Sequence, residues 1–208
     1  MILFDLDGTL TDSNCIWEDI DTEFLGKRGL QSTEEYAHTV GHSIFPVAAQ
    51  FTRDYYHLDL TPQEIMDEWT GLARDAYCTV ALKPGAGAFL AQCKRGGEHI
   101  AMVTACVPEL CRAALRAHGL EDSFEQIIFA QELGMEKRKP ELFLRAAELL
   151  SIAPETCTMY EDAPANCAAA KAAGMTVVGV YDPFYRKYEE EMRKTCDQYI
   201  MSFEELLT

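Results

Sequence analysis

Five short apolar runs, with helical sequence between them, constrain the fold of this chain more than any other feature. Ile2–Phe4, His99–Thr104, Gln126–Phe129, Cys157–Tyr160 and Thr176–Val180 are each too short for a helix and rich in β-branched or aromatic residues, which predicts buried strands. The stretches Ala86–Lys94, Pro108–His118, Pro140–Leu150 and Ala165–Ala173 read as the intervening helices, the last closed by Gly174. Strand and helix in alternation imply right-handed crossovers and a parallel sheet covered on both faces, with ligands at the carboxyl ends of the strands.

Residues 14–80 break this rhythm. They carry amphipathic helical patterns at Ile16–Gly26, Thr33–Val40, Val47–Tyr56 and Pro62–Tyr77 and no buried strand, so they read as a helical insertion. The chain returns to the core at the turn Leu82-Lys83-Pro84-Gly85. The expected organisation is an α/β core from 1–13 and 81–208, interrupted by a helical domain at 14–80. A charged helix, Tyr185–Lys194, is expected after Tyr181-Asp182-Pro183, then Gln198–Met201 and a terminal helix at Phe203–Leu207.

Charge narrows the partners. The 208 residues carry 18 Lys and Arg against 34 Asp and Glu, a formal net charge of −16, which argues against binding nucleic acid or an anionic membrane. Any phosphorylated ligand must then meet a local cation. No window approaches the ~18 apolar residues of a membrane span, and Met1–Phe4 runs straight into Asp5 with no leader-like pattern. Eight cysteines lack paired metal-type spacing, apart from the pair Cys106 and Cys111, so they read as free thiols in a reducing, cytoplasmic setting.

The chemistry concentrates at the end of the first run. Asp5 and Asp7, at i and i+2 of a strand end, direct both carboxylates toward one side, and Gly8 lets the chain turn sharply beside a ligand. One carboxylate can attack an electrophile while its neighbour exchanges a proton with the leaving group. Asp5-Leu6-Asp7-Gly8-Thr9-Leu10 resembles the DxDGT signature of the haloacid dehalogenase superfamily. Further motifs follow in order: Thr104 closing His99–Val103, a lysine in Lys137-Arg138-Lys139-Pro140-Glu141-Leu142-Phe143, and Glu161-Asp162 closing Cys157–Tyr160.

The resemblance covers the core and points to subfamily I, with a C1-type helical cap, in the phosphoglycolate phosphatase and β-phosphoglucomutase-like branch. It implies a Rossmann-like three-layer fold and a magnesium-dependent phosphatase acting on a small phosphorylated metabolite, sugar or organic, as a monomer or weak homodimer. Asp5 would be the nucleophile and Asp7 the general acid and base. Thr104 and the backbone N–H of Ala105 would bind phosphate, together with Lys137 in the register Lys-x-x-Pro or with Lys139 in the shorter Lys-Pro match. Mg2+ would be held by Asp5, the backbone carbonyl of Asp7 and Asp162, with Glu161 helping through water. The chain has Ala163 and Asn166 where the family usually has Ser and Gly.

By the same resemblance, 14–80 would be the cap that closes over substrate and selects the leaving group. Its candidate specificity residues are Trp17 and His42, ahead of Lys27, Arg28, His38 and Arg53, with Gly41-His42-Ser43 the favoured turn. A β-phosphoglucomutase-like phosphotransferase is the nearest rival, and relatives of that kind carry a His where this chain has Trp17. A phosphonatase would need a cap lysine, for which Lys27 is the candidate. A response-regulator receiver domain is the rival from another class, and the motif order weighs against it; a non-catalytic phosphate-binding module of the same fold is a further alternative, against which the intact set Asp5, Asp7, Thr104, Lys137 and Asp162 weighs.

Overall fold

The computed structural model describes residues 1–41 and 43–208 of the chain. Six strands form one parallel sheet: β1 (Ile2–Phe4), β2 (Ile100–Thr104), β3 (Gln126–Phe129), β4 (Thr158–Glu161), β5 (Thr176–Val180) and β6 (Gln198–Ile200), in the spatial order β3-β2-β1-β4-β5-β6. β1 is central, with Ile2 level with Ile100 on one side and Thr158 on the other. The chain winds outward from β1 to β3, then returns to β4 and winds the other way. This is the doubly wound order, and its reversal leaves a crevice beside the carboxyl ends of β1 and β4. Asp5 follows β1 and Glu161 ends β4, so topology alone delivers the acids to one place.

Alternation within the strands builds two apolar layers. Phe4, Met102, Tyr160 and Val178 face one side with Phe89 and Phe203, while Leu3, Ala101, Val103, Met159 and Val177 face the other with Leu142, Phe143 and Cys167. Phe4 stacks on Tyr160 with ring centroids 4.9 Å apart. The helices covering the sheet are α5 (Ala86–Arg95), α6 (Pro108–Ala117), α7 (Pro140–Leu149), α8 (Pro164–Ala172) and α9 (Glu189–Thr195). Three of them, α6, α7 and α8, begin on a proline, whose fixed φ and missing N–H suit the first helical turn.

Between β1 and α5 lie α1 (Asn14–Gly26), α2 (Glu34–Gly41), α3 (Phe45–Tyr55) and α4 (Pro62–Thr79), and no strand is found there among the described residues. Thr61 opens α4 with a capping box: its hydroxyl accepts from the Glu64 N–H at 3.2 Å, and the Glu64 carboxylate accepts from the Thr61 N–H at 2.7 Å. These helices bury Phe24, Tyr36, Trp69 and Tyr77 in one cluster with the Phe4 face of the sheet, and α4 packs on α6.

Three expectations need correction. The charged segment is not one helix from Tyr185: Pro183–Tyr188 forms 3-10 turns and only Glu189–Thr195 is α-helical. Asp182 caps the turns by accepting the Phe184 N–H at 2.9 Å, which tightens the backbone. Gln198–Ile200 is a sixth strand, paired in parallel with β5, and the terminal helix is a 3-10 turn, Phe203–Leu206. All eight cysteines are free thiols, and no helix among the described residues is long and apolar enough to cross a membrane.

Candidate active site

The loop after β1 is shaped around the acids. Gly8 has φ +80°, and a Cβ there would stand 2.1 Å from Asp162 Oδ2 and 2.2 Å from Asn14 Nδ2. Only glycine gives both the left-handed turn and the room for that approach. Asp162 is then gripped from the same loop, accepting from the Thr9 hydroxyl at 3.0 Å and from Asn14 Nδ2 at 2.8 Å. Asp7 points elsewhere. Its Oδ1 accepts from the Ser13 hydroxyl and the Tyr77 hydroxyl, both at 2.6 Å, and Tyr77 accepts in turn from Trp17 Nε1 at 2.9 Å.

Lys137 is 5% exposed and forms ion pairs with Asp5 and, at 2.6 Å, with Glu161. Lys139, two residues on, is an extended pre-proline residue with its side chain 62% exposed, paired with Glu136 at 3.5 Å. The structure thus brings Lys137, and not Lys139, to the acids. Glu161 is closer in than the sequence suggested: it is 1% exposed, and its Oε1 accepts from the Ala163 N–H at 3.0 Å and from Asn166 Nδ2 at 3.3 Å. Asn166, the departure from the family pattern, therefore serves to orient this carboxylate.

Asp5, Glu161 and Asp162 each offer an oxygen, and these atoms lie within 4.8 Å of one another. Burial lifts the Asp5 carboxyl to about 7; the Lys137 ammonium pulls it back, while the charges of Glu161 and Asp7 add to the rise. Burial, then the charges of Glu161, Asp5 and Asp182, hold Asp162 far above the carboxylate range. Burial works against the Lys137 ammonium, but Asp5 and Glu161 more than offset it and keep the lysine firmly charged. One cation among three buried carboxylates leaves an excess of negative charge, and an all-oxygen donor set of this kind suits a hard divalent cation. The residues present therefore fit such an ion.

Thr104 is fully buried at the end of β2, its hydroxyl oxygen accepting from the Cys106 N–H at 3.0 Å, and the neighbouring Ala105 reaches the cavity wall. A cavity of about 230 Å³ stands over Asp5, Asp7, Lys137, Glu161 and Asp162. Its far wall comes from α1, α2, α3 and α4, including Trp17, Gly41 and Trp69, and from Ser43 between α2 and α3. His42 lies outside the described residues. Lys27 and Arg28 pair with Glu23 and Glu68, and neither they nor His38 and Arg53 line this cavity.

Sequence reasoning missed Tyr185, Tyr77, Glu18 and Asp21. Phe184 and Tyr185 line the cavity from the 3-10 turns after β5, and burial together with the charges of Asp162, Glu161 and Asp5 raises the Tyr185 hydroxyl far above its ordinary value. A signal existed for the α1 residues: Asn14, Trp17, Glu18 and Asp21 recur at i, i+3, i+4 and i+7, one helical face directly after the first motif.

Asp21 gives a testable pH dependence. Burial raises its carboxyl from 3.8 to about 6, against the lowering effect of the Tyr36 hydroxyl bonded to it at 3.2 Å. Because the folded state holds this proton more tightly than the unfolded chain, stability falls as pH rises from about 4 through about 6. Asp21→Asn should therefore raise unfolding stability by roughly 1–3 kcal/mol at pH 8 and change it little at pH 4.5, as read by urea titrations at the two values.

A family model described as haloacid dehalogenase-like hydrolase matches residues 1–174. Hexitol phosphatase A of Escherichia coli (strain K12) is 31% identical, over 87% of this chain and 82% of that protein. The β-phosphoglucomutase of Bacillus subtilis (strain 168) is 30% identical, over 86% and 82%. The crystal structure of CbbY from Rhodobacter sphaeroides in complex with xylulose-(1,5)bisphosphate superposes with a TM-score of 0.84 at 26% identity, covering 99% of this chain and 95% of that one. The chain belongs to the haloacid dehalogenase-like hydrolase family. It is an enzyme of the hydrolase class with the family's Rossmann-like α/β core.

Proposed function

We propose that the chain is a magnesium-dependent phosphatase that hydrolyses a small phosphorylated metabolite through an aspartyl phosphate on Asp5. The observation that carries this reading is the convergence of Asp5, Lys137, Glu161 and Asp162, buried together at the sheet's carboxyl edge on the floor of one cavity. The relatives named as phosphatases of hexitols and of fructose 1-phosphate support a sugar or similar organic phosphate as substrate.

In this proposal an oxygen of Asp5 attacks phosphorus as the ester P–O bond breaks, and Asp7 delivers its proton to the leaving oxygen. Asp7 then takes a proton from the water that attacks the aspartyl phosphate, and inorganic phosphate and free Asp5 result. Two donors fix Asp7 Oδ1, so the proton exchange falls to Oδ2. Lys137 neutralises charge on Asp5 and the transferring phosphoryl group, with the Thr104 hydroxyl and Ala105 N–H supplying further donors. Mg2+ would be held by Asp5, Asp162 and the Asp7 carbonyl, with Glu161 oriented beside them, and would supply positive charge against the phosphate. The helical segment 14–80 would act as the cap that excludes water and contacts the leaving group.

The same charge argument predicts metal dependence. Chelator should abolish phosphate release and added Mg2+ restore it, with Ca2+, larger and less strictly octahedral, a poor substitute. Mg2+ alone should also raise the melting temperature, by relieving repulsion among Asp5, Glu161 and Asp162. Full turnover in chelator would refute the site as drawn. The similarity to β-phosphoglucomutase supports phosphotransferase action as a second reading. It would show as an isomeric sugar phosphate formed without release of inorganic phosphate.

A further inference from the structure

Resting on the phosphatase reading, we propose that Trp17, Glu18, Asp21 and Trp69 select phosphate esters whose leaving group is a polyol, and reject leaving groups that carry a second anion.

The helical part of the cavity wall is built for this. Trp17, Glu18 and Asp21 share one face of α1 and all line the cavity, and that face is anchored over the buried acids by the bond from Asn14 to Asp162. Trp69, 2% exposed on α4, also lines the cavity, and its Nε1 is buried without a hydrogen-bond partner among the described residues. A buried N–H left unbonded costs stability until a ligand satisfies it. The Trp17 indole N–H is already spent on Tyr77, so Trp17 offers the ligand its ring face.

These groups define a complementary ligand. The carboxylates of Glu18 and Asp21 only accept hydrogen bonds, and the Trp69 indole only donates one. A hydroxyl serves both. A second phosphate or a carboxylate would face Glu18 and Asp21. Among the described lining residues the one Lys or Arg is Lys137, already engaged by Asp5 and Glu161. The carbon frame of a sugar or sugar alcohol can lie against the Trp17 ring while its hydroxyls meet the acids. The same wall opposes a phosphomutase cycle, which passes through a sugar bisphosphate.

The test is a comparison of kcat/KM at pH 7.5 with Mg2+ for hexitol 6-phosphate, fructose 1,6-bisphosphate, xylulose 1,5-bisphosphate, phosphoglycolate and p-nitrophenyl phosphate. The hexitol ester should exceed the two bisphosphates and phosphoglycolate by at least ~30-fold, since unmatched polar groups are strongly discriminated in a built site. Glu18→Gln combined with Asp21→Asn should shrink the gap to the bisphosphates by about tenfold, because the repulsion is removed. Glu18 is exposed, so Glu18→Gln alone keeps the test available should the double variant fold poorly. Trp69→Phe should raise KM for the hexitol ester more than for p-nitrophenyl phosphate. If p-nitrophenyl phosphate is hydrolysed but a bisphosphate or phosphoglycolate equals or outruns the hexitol ester, the inference falls and the phosphatase reading stands. If no ester is hydrolysed, both fall.

Discussion

Asp5→Asn should remove at least ~10³-fold of turnover while the chain stays folded, the loss expected when a nucleophile itself is taken away. Asparagine is nearly isosteric with aspartate and keeps an oxygen to accept from Lys137, but an amide cannot form the acyl phosphate on which the proposed cycle turns. The buried ammonium retains Glu161 as counter-charge at 2.6 Å, so the substitution does not strand it. Stability gives an independent check. Burial opposes ionisation of Asp5 up to about pH 7, so above that pH the neutral amide should leave the melting temperature unchanged or raise it. A soluble, cooperatively melting Asp5→Asn protein that keeps more than a few per cent of wild-type phosphate release, in a preparation free of deamidation, would remove Asp5 from the nucleophile's role.

Much of this arrangement was legible in the sequence, for reasons that can be traced to individual residues. Ile2–Phe4 delivers Asp5 because three apolar residues ending in an acid leave the chain little choice but a buried strand that stops at a polar edge. The helices α6, α7 and α8 start at Pro108, Pro140 and Pro164, where the fixed φ of proline marks a boundary that hydrophobic period alone blurs. The less legible features depend on chain segments that meet only in the fold. Tyr77 reaches Asp7 across 70 residues of sequence, and Glu161 meets Lys137 from the neighbouring motif. The 3-10 path of Pro183–Tyr188 is set by the Asp182 cap, and Asp182 is itself held by the buried Lys83, which also pairs with Asp12. A charged stretch such as Tyr185–Lys194 carries no local mark of that competition, so its pattern reads as a longer helix. β6 escaped notice because Gln198-Tyr199-Ile200 is three residues long and half exposed, and takes its strand geometry from β5 alongside it.

The largest combined effect on stability and activity is expected from Lys137→Ala, and the contrast with Lys139→Ala tests the register of the loop. Removing Lys137 leaves Asp5, Glu161 and Asp162 buried together without their ammonium, and breaking a buried ion pair by deleting one partner costs ~3–5 kcal/mol. In the proposed reaction it also removes charge stabilisation of the phosphoryl oxygens, comparable to the ~3–4 kcal/mol lost with a single oxyanion donor. The two losses separate by pH. Without the lysine the Asp5 carboxyl sits still further above its ordinary range, so the folding penalty should be largest at pH 8 and shrink as Asp5 takes up its proton toward pH 5. The activity loss should persist wherever the variant is folded. Lys139 faces solvent and pairs with the Glu136 carboxylate, an exposed pairing of the kind worth at most about 1 kcal/mol, so Lys139→Ala should leave kcat/KM within about twofold. Urea titrations at pH 5 and 8 alongside steady-state kinetics would decide it. A Lys139→Ala protein that loses more kcat/KM than Lys137→Ala, both folded, would mean that the loop places the other ammonium on the phosphate.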